Sequence, residues 1–229
     1  MYEGITSLLN EAAKDDRVVV TALTGAKDFY SSGNDMASAI QYQSGENSSA
    51  SKKTGVARVR EMVSAFINYP KVLVAVVNGP AIGIAATILG LCDVVYASDK
   101  AYFHTPFTKL GLVAEGCSSY LFPRIMGISK ASEMLYFGRQ MCAHDAMECG
   151  LVSKVFPHAI FEKEVWPKLE ELAEMPKESM FASKRLVRNR LKEDLHKANE
   201  EECKELEIRM QSEECMNAVI QFLSRKSKM

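Results

Sequence analysis

The chain has 229 residues, of which 47% are hydrophobic and 25% are charged. A chain of this length and ordinary composition can bury a sizeable core in one domain, or in one domain with a helical appendage. Its 28 basic and 29 acidic residues leave a formal net charge of −1, so no global basic field favours nucleic acid or an anionic membrane as a partner. No apolar run approaches the roughly 20 residues of a membrane-spanning helix, so we expect no membrane span.

The cysteines and histidines do not follow the spacing of a metal site or a disulfide scaffold. The cysteines form no C-x-x-C pair, and a chain with a normal core does not need disulfides to fold, so we expect free thiols in a reducing compartment. The histidines lack metal-ligand spacing, so we expect no structural metal. These residues are Cys92, Cys117, Cys142, Cys149, Cys203, Cys215, His104, His144, His158 and His196.

The first part of the chain alternates helix and strand patterns. Apolar residues at helical spacing predict amphipathic helices over Tyr2–Lys14 and Val56–Ile67. Arg17–Leu23 is typical of a buried strand and leads into a glycine-containing turn. Gln41–Lys53 is polar, rich in serine and without period, which predicts a surface loop. This alternation predicts a sheet with crossover helices.

A second strand followed by a glycine turn lies near the middle of the chain. Lys71–Val77 is expected to be buried on both faces, and Gly83 precedes a helix that begins at Ile84. The first N–H groups of a helix have no intrahelical partner and carry partial positive charge, so this turn could bind an oxyanion with its backbone alone. Two such turns from neighbouring strands could each give one N–H to a single oxygen. Alternatively, Gly83 only packs a helix against a sheet.

A glutamate follows the next two short strands, which are predicted over Val94–Ala97 and Ala101–Phe103. Glu115 stands between apolar and small residues, just before a helix. Desolvation at such a place raises the pKa of a carboxyl group, whereas the helix dipole lowers it. A partly desolvated carboxylate beside an oxyanion site could remove a proton α to a thioester. The alternative is a glutamate that only complements the helix dipole.

Helical patterns dominate the rest of the chain. The predicted elements are helices over Ser129–Phe137 and Ala143–Gly150, an edge strand over Val152–Phe156, and amphipathic helices over Ile160–Ala173, Ser179–Arg188 and about Asp194–Phe222. The basic cluster Lys184–Arg190 could meet phosphate groups or be solvated, and we favour the solvated interpretation.

Several short motifs resemble the crotonase (enoyl-CoA hydratase/isomerase) superfamily. YSSGND at Tyr30–Asp35, NGPAIGI at Asn78–Ile84 and the pair Cys92-Asp93 follow its pattern, and FHTPF and AEGCSSYLFP are similar to its peroxisomal Δ3,Δ2-enoyl-CoA isomerases. The resemblance spans most of the chain. It implies an α/β fold, a crotonase-like spiral of ββα repeats with a C-terminal helical trimerisation region.

The resemblance also implies roles for individual residues. Glu115 would be the single catalytic base and acid, and the backbone N–H groups of Asn34 and Ile84 would form an oxyanion hole. The substrate would be a fatty acyl-CoA thioester, with no separate cofactor. The residues that would line the substrate are Ser31, Ser32, Gly33, Asn34, Asp35, Gly83 and Phe107.

Two positions depart from the pattern of the hydratases in this superfamily. Hydratases carry two catalytic glutamates that handle water, and the matching positions here hold Thr87 and Phe107. One carboxylate suffices for a 1,3-proton shift. The resemblance therefore predicts an isomerase that moves a C3=C4 double bond of an acyl-CoA to C2=C3. The alternatives are a crotonase-fold module that binds acyl-CoA or protein partners without turnover, and a thioesterase or other acyl-CoA enzyme.

The resemblance gives further expectations about chain organisation. In the family a strand and a loop usually precede the first helix, and neither is found before Tyr2 here. The resemblance therefore predicts that this chain could be a truncated isoform with an incomplete coenzyme A site. We expect a spiral core over residues 1–157, a helical region over 158–226, and a homotrimer or dimer of trimers. Ser227, Lys228 and Met229 resemble a peroxisomal targeting tripeptide that binds the import receptor. Mitochondrial and cytosolic locations are the alternatives.

Overall fold

The computed structural model describes residues 1–34 and 54–226; Asp35, the loop predicted over Gln41–Lys53 and the terminal tripeptide lie outside this range. The helices are α1 Tyr2–Lys14, α2 Gly55–Asn68, α3 Ile84–Thr87, α4 Ser118–Phe137, α5 Ala143–Glu148, α6 Phe161–Ala173, α7 Lys177–Arg188, α8 Lys192–Met210 and α9 Glu213–Lys226. The strands are β1 Val20–Thr24, β2 Val72–Val77, β3 Ala81–Ile82, β4 Val94–Ser98, β5 Tyr102–His104, β6 Met141–Cys142 and β7 Lys154–Phe156. Short 3-10 turns cover Ile88–Leu91, Thr108–Leu110, His158–Ile160 and Asn189–Leu191.

Four parallel strands form the larger sheet of the described chain, in the order β1-β2-β4-β7. Val74 of the central strand β2 pairs with Ala22 on one side and with Val94 on the other. The residues of β2 after Val72 are all buried, as the continuous run of β-branched residues predicts. Strand β7 pairs only with β4 in this sheet, which confirms the predicted edge strand.

A second, smaller sheet is built from the segments that follow these strands. Strand β3 pairs in parallel with β5, and Ser31 forms a parallel bridge to Ala81 of β3. Along the chain, β2 is followed by β3 and α3, and β4 is followed by β5 and α4. The segment after β1 passes through Ser31 in the same way before α2 is reached further along the chain. This repeated order of two extended segments and a helix agrees with the predicted α/β fold of ββα repeats.

The two faces of β2 serve two hydrophobic cores. Leu73, Ala75 and Val77 point into the main core, to which α1, α2, α4 and α8 also contribute. Val74 and Val76 pack on the opposite face against apolar residues of α6. Helices therefore cover both faces of the parallel sheet, which explains why β2 lacks polar alternation. Within the described residues, no helix is both long and apolar enough to cross a bilayer.

Several predicted helices differ from the observed ones. The helix that begins at Ile84 is a single α-helical turn continued by a 3-10 turn. The single helix predicted over Asp194–Phe222 is wrong, because the chain forms α8 and α9 with a break at Gln211 and Ser212. The Ser212 hydroxyl accepts a hydrogen bond from the N–H of Cys215 at 3.2 Å, which satisfies a free donor in the first turn of α9.

The solvated interpretation of the basic cluster Lys184–Arg190 is wrong for two of its members. Lys184 Nζ lies 2.7 Å from Asp93 Oδ2, and Arg188 Nε lies 3.0 Å from Asp93 Oδ1. The Asp93 side chain is 16% exposed and also accepts a hydrogen bond from the N–H of Leu73 at 2.9 Å. Asp93 thus joins α7 to the start of β2, and both Lys184 and Arg188 form ion pairs with it.

Removal of this carboxylate should destabilise the fold. Asp93→Ala leaves the partly buried Lys184 and Arg188 without their carboxylate partner, so we expect a loss of about 3 kcal/mol in the free energy of unfolding. Urea denaturation followed by circular dichroism measures this loss. The matched control is Glu133→Ala, which removes the exposed ion pair with Arg139 and should cost less than about 1 kcal/mol. Equal losses in the two variants would contradict the proposed contribution of the Asp93 cluster.

Candidate active site

The segments that leave β1 and β2 are hydrogen-bonded to each other. The N–H groups of Tyr30 and Ser31 both donate to the carbonyl of Pro80, at 3.2 and 3.1 Å, and the N–H of Ile82 donates to the carbonyl of Ser31 at 3.0 Å. The Asn78 side chain adds a link, because its Nδ2 donates to the carbonyl of Lys27 at 2.7 Å. These bonds hold the two predicted glycine turns side by side.

Gly83 carries the sharp bend from β3 into α3. Its φ of 62° and ψ of −129° lie in a region that residues with a Cβ rarely occupy. The N–H of Gly83 donates to the carbonyl of His104 in β5 at 2.8 Å, so the bend is anchored to the neighbouring strand. Ile84 is the first residue of α3, and its N–H therefore has no partner within the helix.

The first glycine turn meets the second at Gly33. A Cβ placed on Gly33 would lie 2.5 Å from the carbonyl oxygen of Ile82 and 3.8 Å from Cα of Gly83. Ser32 and Asn34, which flank Gly33, are exposed, whereas Ser31 is partly buried. The structure therefore brings the predicted residues Ser31 to Asn34 next to Gly83.

Phe107 and Thr87 stand at the positions that the sequence resemblance matches to the two acids of hydratases. Phe107 is buried, and its ring lies 4.0 Å from where a Cβ on Gly83 would stand. Thr87 is fully buried, and its hydroxyl donates to the carbonyl of Ile84 at 3.2 Å. Both side chains therefore present no carboxylate to the space beside the Gly83 bend.

The turn that carries Glu115 packs directly on α3. A Cβ on Gly116 would lie 2.5 Å from Oγ1 of Thr87 and 3.1 Å from Cδ1 of Ile84. Only a glycine permits so close an approach without a shift of α3. Gly116 and Cys117 both have positive φ, of 71° and 61°, and Cys117 is the residue before α4. Glu115 is thus placed beside the helix whose first N–H belongs to Ile84.

Two effects raise the pKa of the Glu115 carboxyl group to about 8 from its ordinary value of 4.5. Burial is the larger cause, since desolvation disfavours the charged form. The negative charge of Glu202 is the second cause. The sequence predicted two opposing effects on this pKa, desolvation and the dipole of the following helix. In the structure desolvation prevails and the pKa is raised. A carboxyl group with such a pKa can both accept and release a proton near neutral pH.

Glu202 is a site residue that our sequence analysis missed. It lies on α8, is 7% exposed, and accepts hydrogen bonds from the N–H of Cys117 at 2.7 Å and the N–H of Ser119 at 2.9 Å. A signal was present, because Glu202 falls on the buried stripe of α8 with Leu195, Ala198, Asn199, Cys203 and Leu206. A glutamate at an apolar position of a helix requires a buried partner.

No group of three or more histidine, cysteine, aspartate or glutamate side chains among the described residues could hold a metal ion. The ring Nε2 of His104 lies 3.1 Å from the carbonyl oxygen of Gly138, and burial lowers the pKa of this histidine. The described part of the site thus combines the backbone turn at Gly83, the apolar side chain of Phe107 and the carboxyl group of Glu115, with Glu202 behind it.

Comparison with known proteins finds relatives that match almost the whole of this chain. It is 52% identical to enoyl-CoA delta isomerase 2 of Rattus norvegicus over all 229 residues, which span 58% of that protein. It is 47% identical to enoyl-CoA delta isomerase 3, peroxisomal, of Mus musculus over 228 residues, which span 71% of it. It is also 40% identical to the Chromodomain Y-like protein of Mus musculus over 226 residues, or 99% of this chain and 38% of that protein.

A solved structure and a family model agree with these relatives. The enoyl-CoA hydratase/isomerase of Pseudoalteromonas atlantica T6c superposes with a TM-score of 0.87 at 31% identity, covering 98% of this chain and 86% of that one. This likeness confirms the predicted crotonase-like fold. The family model described as enoyl-CoA hydratase/isomerase matches residues 1–228. The chain belongs to the enoyl-CoA hydratase/isomerase family.

Proposed function

We propose that this chain is a Δ3,Δ2-enoyl-CoA isomerase that converts 3-enoyl-CoA to trans-2-enoyl-CoA in fatty acid β-oxidation. The observation that carries the proposal is the combination at one site of Glu115, with its raised pKa, and two side chains without a carboxylate, Thr87 and Phe107. The names of the rat and mouse delta isomerases support it, although the chain spans only 58% of the first of these proteins.

Glu115 acts as both base and acid in the proposed reaction. Its carboxylate takes a proton from C2, the C2–H electron pair moves into the thioester to form a dienolate, and the protonated carboxyl group then returns the proton to C4. The double bond ends between C2 and C3, and no atom is gained or lost. A carboxyl group with a pKa of about 8 suits both steps, since it neither holds nor releases the proton too strongly at neutral pH.

The backbone N–H groups of Asn34 and Ile84 stabilise the dienolate oxygen in this proposal. Ile84 offers the first N–H of α3. Gly33, the residue before Asn34, packs closely against the Gly83 bend. One such donor contributes roughly 3–4 kcal/mol in acyl-transfer enzymes. Residues Ser31 to Asn34, Gly83 and Phe107 line the thioester, and the buried Phe107 ring limits the access of water to the intermediate.

A non-catalytic module that binds acyl-CoA or a protein is the second candidate. The observation that favours it is the 40% identity to Chromodomain Y-like protein, whose name mentions no isomerase. The two candidates share the fold, so only turnover separates them. A chain that binds acyl-CoA but leaves 3-enoyl-CoA unchanged would support the module.

We also propose that the protein is located in peroxisomes. The name of the mouse delta isomerase 3 includes a peroxisomal location, and Ser227, Lys228 and Met229 resemble a targeting tripeptide that binds the import receptor. A fluorescent fusion that carries these residues at its C-terminus should enter peroxisomes, whereas one without them should not. Equal distribution of both fusions would overturn this part.

We also propose that the protein forms trimers through its C-terminal helices. Leu186 and Val187 on α7 are exposed large apolar side chains, at 74% and 66% of their full area, and such side chains favour burial at an interface. Sedimentation analysis of the purified chain tests this association, and a monomer at working concentrations would exclude it.

The central test is the turnover of 3-enoyl-CoA by the wild type and by Glu115→Gln. The wild type should isomerise 3-enoyl-CoA and hydrate trans-2-enoyl-CoA far more slowly, because Thr87 and Phe107 replace the acids that handle water. Glu115→Gln keeps the size of the side chain but loses the base, so its rate should fall by on the order of a thousandfold with little change in unfolding free energy. A rate within a few-fold of wild type would end the role of Glu115.

The rate should also follow the ionisation of Glu115. Glu115 must be deprotonated to act as a base, and its pKa is raised to about 8. The value of kcat/KM should therefore rise with pH towards a plateau, with the midpoint of the rise near pH 8. Below the midpoint the rate should fall about tenfold per pH unit. A profile that is flat from about pH 6 to pH 9 would contradict the raised pKa.

The backbone oxyanion hole predicts opposite outcomes for two variants. Gly83→Val places a β-branched residue at a positive φ and turns the N–H of Ile84 away, so kcat should fall on the order of a hundredfold or more. Asn34→Ala keeps its backbone N–H, so its loss should stay below about tenfold. Both variants must retain the circular dichroism spectrum of the wild type. A folded Gly83→Val with full activity, or an Asn34→Ala as inactive as Glu115→Gln, would show that the hole lies elsewhere.

A further inference from the structure

A buried carboxylate from the distant helix α8 holds the turn that carries Glu115. Glu202 accepts three hydrogen bonds from this turn: from the N–H of Cys117 at 2.7 Å, from the N–H of Ser119 at 2.9 Å, and from the Ser119 hydroxyl at 2.6 Å. These donors lie at the beginning of α4, where backbone N–H groups have no intrahelical partner. Glu202 therefore closes the start of α4 from a position more than 80 residues away in sequence.

The turn needs such a restraint because its backbone is unfavourable by itself. Cys117 has a φ of 61° although it carries a Cβ, and Gly116 before it has a φ of 71°. Left-handed conformations of this kind persist only where surrounding contacts enforce them. The hydrogen bonds that Glu202 accepts from Cys117 and Ser119, on the two sides of Ser118, supply contacts of that kind. The strained segment directly follows Glu115.

Glu202 also contributes to the electrostatics around Glu115. Its charge raises the pKa of Glu115, and the other groups that face this cluster are Tyr2 on α1, Cys203 on α8 and Cys117 in the turn. The nearby cation is Arg60 on α2, which interacts with Cys203. The hydrogen bonds from Cys117 and Ser119 favour the ionised form of Glu202, although burial raises its pKa.

We propose that Glu202 is a positioning residue for Glu115, and this inference rests on the isomerase function proposed above. Its carboxylate fixes the Glu115 turn against α3 and keeps a second negative charge beside the base. A neighbouring negative charge makes Glu115 a stronger proton acceptor, because protonation of Glu115 relieves the repulsion. Glu202 does not touch the reacting atoms in this arrangement and acts only through Glu115.

The test compares Glu202→Gln with Glu205→Gln on the same helix. Gln at position 202 keeps the size and one acceptor oxygen but removes the charge. The midpoint of the kcat/KM profile should therefore move to lower pH by about half a unit or more, and the high-pH plateau of kcat should fall about five- to tenfold. Glu205 is half exposed and pairs with Arg209, so its variant should match the wild type in both quantities.

The outcomes separate a positioning role from a purely structural one. A stability loss with an unchanged midpoint and plateau would reduce Glu202 to a helix cap and overturn the proposal. If Glu202→Gln does not fold, Ser119→Ala removes only the 2.6 Å hydrogen bond. Ser119→Ala should lower the high-pH plateau of kcat about two- to fivefold. A plateau equal to that of the wild type would overturn the proposal.

A direct titration keeps this inference distinguishable from the proposed function. The side-chain carboxyl carbon of Glu115 can be followed by NMR in the wild type and in Glu202→Gln without any substrate. If the wild type turns over no 3-enoyl-CoA, the proposed function fails, and the titration alone decides the placement of Glu202. A lower pKa of Glu115 in the variant supports the placement, and an unchanged pKa refutes it.

Discussion

The parallel pairing of β1, β2 and β4 is the constraint on which the candidate site depends. Parallel strands end at the same edge of a sheet, so the segments that leave them lie side by side. Ser31 can then pair with Ala81, and the Gly83 bend can donate to the carbonyl of His104. Each turn would be poorly determined alone, but together they satisfy one another's backbone groups beside the first N–H of α3, which has no partner within its helix.

Three carboxylates show how their surroundings decide what a carboxylate does. Asp93 meets the cations Lys184 and Arg188, so it binds α7 to the sheet. Glu202 meets backbone N–H groups, so it closes the start of α4. Glu115 is instead desolvated beside the charge of Glu202, which raises its pKa. The first two surroundings build structure, whereas the third favours proton transfer.

A fold alone does not fix a reaction, so in the proposed function the side chains beside the Gly83 bend favour isomerisation over hydration. Thr87 is fully buried against the Glu115 turn, where a Cβ on Gly116 would approach its hydroxyl to 2.5 Å. A side chain at position 116 would therefore collide with Thr87. The close packing of the Glu115 turn on α3 depends on this contact.

Local patterns in the sequence determined most of the elements near the site. The run of β-branched residues in β2, the apolar faces of α1 and α2, and the glycine before Ile84 reflect local backbone preferences, so their positions could be predicted within a few residues. The motif around Glu115 likewise identified the candidate base. These features depend on residues close together in the chain, which is why reasoning from sequence reached them.

Only the tertiary structure decided which distant groups meet. Periodicity shows that one face of a helix is apolar, but it does not say what that face packs against. Periodicity therefore could not predict the partners of Asp93 on α7 or of the Cys117 turn on α8. For the same reason Lys184 and Arg188 were wrongly expected to be solvated. The pKa of Glu115 depends on burial by several elements and on a charge far away in sequence. Desolvation and Coulomb interactions act through space, so they become defined only when the chain has folded.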